Sequence, residues 1–334
     1  LRRAAGLLLL TTLAGCDQID TIRQRVAGGS PAPAAPQSPR PATPVDVGRT
    51  LLEEGRLDEA LAKLQEAGGD AEALYLQGVV WGRKAETAPL PTPPPLVAPL
   101  PKGAEPPRAP TFKPEELQAV GFYEQALAAK PDHAAAHGAL AELLSPHTLR
   151  RVEELEAAAR SRRRPRGRAE PVPAWPAEPG VPDYSPERVI REYQAAGQAD
   201  PTATAPLDGL VRFAPRVGRL DAAEAALEEL CRRQPEKPEP FVRYGDFLVN
   251  EKKTPEAAVL QYQQALVWDP GNVAAKSRIA DIYIEMGIQE WEAQRYAMAE
   301  ARFKEAQRYV SERNSPQGLK IQDYMGRLGG IRKR

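Results

Sequence analysis

Three segments of the chain share one register. FYEQALAAKPD contains Pro131, EYQAAGQADP ends at Pro201 and QYQQALVWDP ends at Pro270. In each, an aromatic residue (Tyr123, Tyr193, Tyr262) is followed three residues later by an alanine (Ala126, Ala196, Ala265), and the proline comes five residues after that. A fourth segment, AALEELCRRQP, reaches Pro235 with Leu227 and Leu230 in those places. Pro201, Pro235 and Pro270 are therefore 34 and 35 residues apart. A period of this size confines the chain to stacked units, each of which buries its apolar face only against its neighbours.

Within a unit, apolar residues at i, i+3 and i+4 predict one face of a helix. The proline stops that helix and opens the next unit. An earlier amphipathic stretch precedes it, as in Phe241 to Leu248 and Ile279 to Tyr283. The turn Gly218-Arg219-Leu220-Asp221 joins the two, and Gly55-Arg56-Leu57-Asp58 repeats it. Composition narrows the alternatives. Aromatic residues are only 6% of the chain, which argues against an aromatic-rich β-sandwich. Two cysteines exclude a disulfide framework or a cysteine-rich zinc module. With 45 basic and 45 acidic residues, no whole-chain field favours nucleic acid.

The register resembles that of the tetratricopeptide repeat family over about 46–310. Unit one carries Gly48, Ala60, Leu64 and Ala67; unit two Gly78, Ala119, Tyr123 and Ala126. Unit three carries Leu140, Ala141, Leu144, Val189, Tyr193 and Ala196; unit four Leu210, Ala223, Leu227 and Leu230. Unit five carries Tyr244, Gly245, Ala258, Tyr262 and Ala265; unit six Ile279, Ala280, Tyr283, Ala299, Phe303 and Ala306. The resemblance implies an all-α fold, a right-handed α-solenoid of about six helix pairs over 46–313. Residues 314–334 read as a capping helix and a basic tail. Gly78 to Pro131 and Ala141 to Pro201 are too long for one unit, so insertions are expected at about 86–113 and 146–184. Their proline density predicts that both are mostly disordered, apart from a short surface helix over 150–160. Inserted at the same joint of neighbouring units, both should emerge on one face.

The first residues carry an address. Arg2 and Arg3 precede an apolar core, Ala4 to Leu13, of secretory type. Leu13-Ala14-Gly15-Cys16 resembles a bacterial lipobox. That likeness implies removal of 1–15, lipid on Cys16, and a membrane-anchored lipoprotein on the periplasmic side. Asp17 resembles an inner-membrane retention signal of enteric bacteria, but the choice between inner and outer membrane stays open. Residues 16–45 then serve as lipidated anchor and Pro/Ala-rich tether.

The functional reading is a scaffold that binds other envelope proteins in a concave groove lined by first helices. No enzyme activity, cofactor or nucleic-acid partner is expected. Arg49, Arg212, Arg243, Asp246, Arg278 and Asp281 fall on that groove by register. Asp246 and Asp281 follow Arg243 and Arg278 by three residues, so each pair either bridges locally or leaves its arginine for an acidic partner. The alternatives are a metal-dependent hydrolase or a glycan or small-ligand binder on a helical scaffold. His133 and His137, four residues apart, are the weak candidates for a metal site, with no glutamate directly after His133 to act as base. Cys231 reads as a packed helix residue. The run RSRRRPRGR, 160–168, reads as a solvated loop, with anionic headgroups as the alternative ligand. The proline run at 93–95 reads as a stiff spacer.

Overall fold

The computed structural model describes residues 42–92, 110–162, 175 and 180–332. The leader, Cys16 and most of the tether lie outside these, as do most of both proline-rich stretches and the end of the basic tail. The described residues from Pro44 onward belong to one compact unit. They form thirteen α-helices and no strand. Paired in chain order, these are α1 (Pro44–Glu53) with α2 (Leu57–Glu66), α3 (Ala71–Thr87) with α4 (Pro114–Ala129), and α5 (Ala134–Arg162) with α6 (Pro186–Ala199). Then follow α7 (Ala205–Phe213) with α8 (Leu220–Arg233), α9 (Pro238–Phe247) with α10 (Pro255–Trp268), and α11 (Val273–Glu292) with α12 (Tyr296–Tyr309). The last helix, α13 (Pro316–Arg332), closes the stack.

Each helix packs on the one before it and the one after it. Successive first helices also touch: α1 meets α3, α3 meets α5, α5 meets α7, and α11 meets α13. Second helices make no comparable contact with each other. The first helices therefore line the inner side of the stack, as in tetratricopeptide-type solenoids.

Proline accounts for many of the boundaries. Helices α1, α4, α6, α9, α10 and α13 begin on proline, where the missing N–H costs nothing and φ is already helical. Side-chain caps act at α3, α6 and α11. Asp70 accepts from the Ala73 N–H, Ser185 from Arg188 and Asn272 from Ala275.

Small residues on first helices receive large residues from second helices. A Cβ on Gly48 would lie 2.6 Å from Leu64, on Gly78 2.5 Å from Tyr123, and on Gly245 2.5 Å from Tyr262. In unit six the close approach falls at Gly287, 2.7 Å from Phe303, rather than at Ala280. The reason is that α11 runs for 20 residues and carries the contact further along the helix. The joints between paired helices are left-handed turns. Gly55 and Gly218 sit at φ 78° and 72°, and Lys253 and Gln294 take the same conformation at 58° and 59°. The unit that is 35 rather than 34 residues long ends its first helix in a π-helical turn, Leu248–Lys252. That turn absorbs the extra residue without shifting the register.

The second insertion is shorter than expected. Residues 146–162 do not leave the solenoid; they continue α5 without a break to 29 residues. Pro146 removes one rung of that helix. Around it, the Ser145 and Thr148 hydroxyls bond the carbonyls of Ala141 and Leu144. The continuation pays its way by burial: His147 and Thr148 are buried, and Thr148 also donates to the Tyr184 carbonyl at 2.6 Å. Phe112, just before α4, packs against His147 with ring centroids 4.0 Å apart and the planes tilted by 33°. Tyr184, just before α6, meets Phe112 edge-on at 5.4 Å, and Trp175 meets Tyr184 at 5.1 Å. The ends of both insertions thus belong to the core, and they converge on one turn of α5. The expected disorder of 93–109, 163–174 and 176–179 concerns residues outside those described.

Candidate functional site

The first-helix face carries a run of ion pairs that crosses from unit to unit. Arg212 on α7 reaches Glu142 on α5 at 3.5 Å. Arg243 on α9 reaches Asp208 on α7 at 2.5 Å, and Arg278 on α11 reaches Asp246 on α9 at 2.8 Å. The run ends at Asp281 on α11, which accepts from the Gln317 amide of α13 at 2.6 Å. At the other end, Glu72 on α3 accepts from Arg49 on α1 at 2.6 Å and faces His133 Nε2 at 3.1 Å. Arg49, Arg212, Arg243, Asp246, Arg278 and Asp281 thus all take part in contacts between first helices. The local alternative does not form: among the described residues Arg243 pairs with Asp208 rather than Asp246, and Arg278 with Asp246 rather than Asp281. The physical cause is spacing. Successive first helices lie close enough for an arginine to span them, and that pairing leaves the carboxylate one turn away on its own helix free for the next unit.

These pairs remain wet. Arg278 is 56% exposed and Asp246 33%, so the charges can meet a partner as well as each other. Asp246 is also tied inward, since its Oδ1 accepts from the Tyr262 hydroxyl at 2.8 Å. Burial, aided by that carboxylate, pushes the Tyr262 phenol well above its ordinary pKa. Next to Glu142 a recess of about 290 Å³ opens between α5, α6 and α7. Its lining is mostly small and apolar, with Ala134, Gly138, Ala203 and Pro206 beside Tyr193, Glu142 and Asp200.

The three histidines do not converge. His133 accepts from the Ala136 N–H at Nδ1, so its Nε2 carries the proton and donates to Glu72. His137 places Nδ1 2.5 Å from Glu192 Oε2 and Nε2 2.8 Å from the Pro131 carbonyl. With acceptors at both nitrogens the charged ring is favoured, and the bond to Glu192 raises its pKa. His147 faces Glu116 at 3.3 Å, but burial dominates and lowers its pKa. His133 and His137 thus serve separate carboxylates. No group of three histidine, cysteine or acidic residues able to hold a metal occurs among the described residues. The Cys231 thiol is pushed up to about 11, chiefly by burial and then by Glu228, so it is held as the neutral thiol.

The sequence alone did not reveal the acidic partners Glu72, Glu142 and Asp208. A signal was present, however: Asp208 and Arg243, like Asp246 and Arg278, are separated by about one repeat length.

No family model matches the chain, and no curated protein sequence matches it either. Solved structures that resemble it include MamA of strain AMB-1, with TM-score 0.39 and 12% identity over 68% of this chain and 91% of that one. PilF of Pseudomonas aeruginosa has TM-score 0.39 and 14% identity over 85% of this chain and 96% of its own. A tetratricopeptide repeat protein from Parabacteroides merdae has TM-score 0.34 and 11% identity, covering 84% and 83%. These superpositions are loose, and the fold assignment rests on the chain's own six helix pairs.

Proposed function

We propose that the chain is a scaffold that binds other proteins along its first-helix face. One observation carries this reading: a continuous inner surface of half-exposed, cross-unit ion pairs beside an apolar recess. A bound segment that alternates charge can exchange ion pairs with the ladder, and an apolar side chain can enter the recess beside Glu142. Neither event requires the solenoid to open. In this reading the leader is removed, lipid on Cys16 holds the scaffold at a bacterial envelope membrane, and the proline-rich tether sets its distance from that membrane. The partners are then other envelope proteins.

The test is capture of partners from solubilised envelope membranes with wild type and with the Arg212→Ala, Arg243→Ala, Arg278→Ala triple variant. Wild type should retain partners that moderate salt releases, because exposed charges are screened. The triple variant should retain less at low salt and depend less on salt, with unchanged helicity. Equal capture and equal salt dependence would remove the first-helix face from the binding reaction. Radiolabelled palmitate tests the anchor separately: it should label wild type and not Cys16→Ser.

A further inference from the structure

The recess beside Glu142 opens where α5 is thin. Gly138 stands three residues before Ala141, the small residue of its helix pair. The corresponding places, three before Gly78 and three before Gly245, hold Tyr75 and Val242. A side chain has room here: a Cβ on Gly138 would meet nothing closer than the Ala196 Cβ at 3.9 Å. The volume of about 290 Å³ lies at the floor of the range of about 300–1,000 Å³ in which small-molecule sites fall, so a single side chain suits it better than a free ligand.

The lining carries carboxylates and, among the described residues, no cation. Asp200 is held ionised: the Thr202 hydroxyl donates to its Oδ1 at 2.6 Å, the N–H groups of Thr202 and Ala203 donate to the same oxygen, and together they lower its pKa. Arg233 is committed to the carbonyls of Gly197, Asp200 and Ala203 and lies outside the lining. Glu142 pairs with Arg212 at 3.5 Å, and the two side chains are 57% and 66% exposed. This is the longest and most exposed of the four cross-unit pairs, the others lying at 2.5 to 2.8 Å. The ladder is therefore loosest where the recess adjoins it.

We infer, given a protein segment on the first-helix face as proposed above, that the recess takes a lysine or arginine side chain of that segment, and that an acidic neighbour in the segment takes over Arg212. Lysine and arginine bury an aliphatic stem while the charged head stays in water. Here the stem lies along Ala134, Gly138 and Pro206, and the head meets Glu142 at the rim. Glu142 exchanges one cation for another, so the exchange leaves neither Glu142 nor Arg212 unpaired. An uncharged side chain gains the same apolar contact but leaves the two carboxylates unanswered.

The experiment uses the full chain with Cys16→Ser and a displayed library of random peptides. Retained peptides should share one position that holds lysine or arginine beside aspartate or glutamate. A retained peptide remade with norleucine for the basic residue keeps a stem and loses the charge. It should bind about fivefold more weakly, the order of one half-exposed charge pair. Glu142→Gln should weaken the parent peptide by the same factor and leave the norleucine peptide unchanged. Gly138→Leu, which fills the recess, should weaken both; if that variant loses helicity, Glu142→Gln with the two peptides decides alone. Retained peptides with no shared basic position, or equal loss of both peptides in Glu142→Gln, overturn the inference and leave the scaffold reading standing. Failure to retain any peptide, even at low salt, overturns the scaffold reading with it.

Discussion

Units four and five and units two and three solve the same packing problem with different connections. In unit four, α7 passes to α8 through a short 3-10 turn and Gly218; in unit five, α9 passes to α10 through a π turn and Lys253. In unit two the chain leaves α3 at Thr87 and resumes helix at Pro114; in unit three it leaves α5 at Arg162 and resumes at Pro186. The paired helices nevertheless meet in the same way: Tyr123 fills the space over Gly78 much as Tyr262 does over Gly245. Loop closure grows only slowly in cost with loop length, so a solenoid tolerates long connections at this joint. What the interrupted units add is an anchor at the end of each insertion. Phe112 and Tyr184 are 2% exposed, the same as the repeat residue Tyr193, although neither belongs to the repeat register.

The largest expected effect tests that point. Truncating a fully buried aromatic side chain costs about 3–5 kcal/mol. Phe112→Ala and Tyr184→Ala should each fall in that range by urea unfolding, comparable with Tyr262→Ala in the regular half. Losses below about 0.5 kcal/mol, the usual scale of surface changes, would return both residues to the insertions and erase the distinction drawn here.

The repeat was legible in the sequence because its signal is redundant. Tyr123, Tyr193 and Tyr262 announce second helices, and proline marks the boundaries, so the errors of any single unit are corrected by the others. The anchors were illegible for the opposite reason. Phe112, Tyr184 and Trp175 occur once each, inside proline-rich text whose composition argues for disorder, and nothing local says that they meet across α5. The expected start of the second insertion at 146 failed for a related reason. The spacing from Ala141 to Pro201 shows how many residues are extra, not that 146–162 continue the helix through Pro146. There, burial of His147 and Thr148 and the Thr148 bond to Tyr184 outweigh one lost rung. The partners of Arg243 and Arg278 were not legible, because a helix spacing of three suggests a neighbour on the same helix whereas each arginine pairs with the preceding first helix. The repeat spacing that joins Asp208 to Arg243 is visible only when two units are laid side by side.

A second effect separates the two histidines that flank the interrupted units. His137 has its pKa raised, first by the bond to Glu192, so its contribution is fully present below the unfolded value of about 6.5 and is lost as pH rises through the folded value. Arg188, 2.7 Å from the same Glu192, opposes part of that shift. His147 has its pKa lowered, first by burial, with Glu116 opposing and Arg150 reinforcing. Its unfolded form binds the proton more readily, so stability falls as pH drops from about 6.5 toward the folded value. His137→Gln should therefore destabilise more at pH below 6 than above 8, and His147→Gln should blunt acid destabilisation. Urea midpoints across that range give the answer. The same pH slope in both variants would contradict the assignment of opposite environments.

The smallest effect concerns the ladder itself, where the regular units are most alike. Exposed ion pairs contribute about 0–1 kcal/mol, because water already solvates both charges and two long side chains lose freedom on pairing. Arg278 and Asp246 fit that class by exposure, yet Asp246 also holds the Tyr262 hydroxyl, so the two partners are not equivalent. Arg278→Ala leaves Asp246 with the phenol and with water, and should cost less than about 0.5 kcal/mol. Asp246→Ala removes the acceptor of a buried tyrosine as well, and should cost about 1–2 kcal/mol. A double-mutant cycle isolates the pair, and its coupling should be about 0.5 kcal/mol or less, falling further in salt. The corresponding cycle for Arg243 and Asp208 lacks a tyrosine bond to the carboxylate among the described residues, so there both single variants should cost the same small amount. If Asp208→Ala proves as costly as Asp246→Ala, the ladder holds the units together rather than being available to a partner, and a segment bound on the first-helix face could exchange no ion pair without loosening the stack.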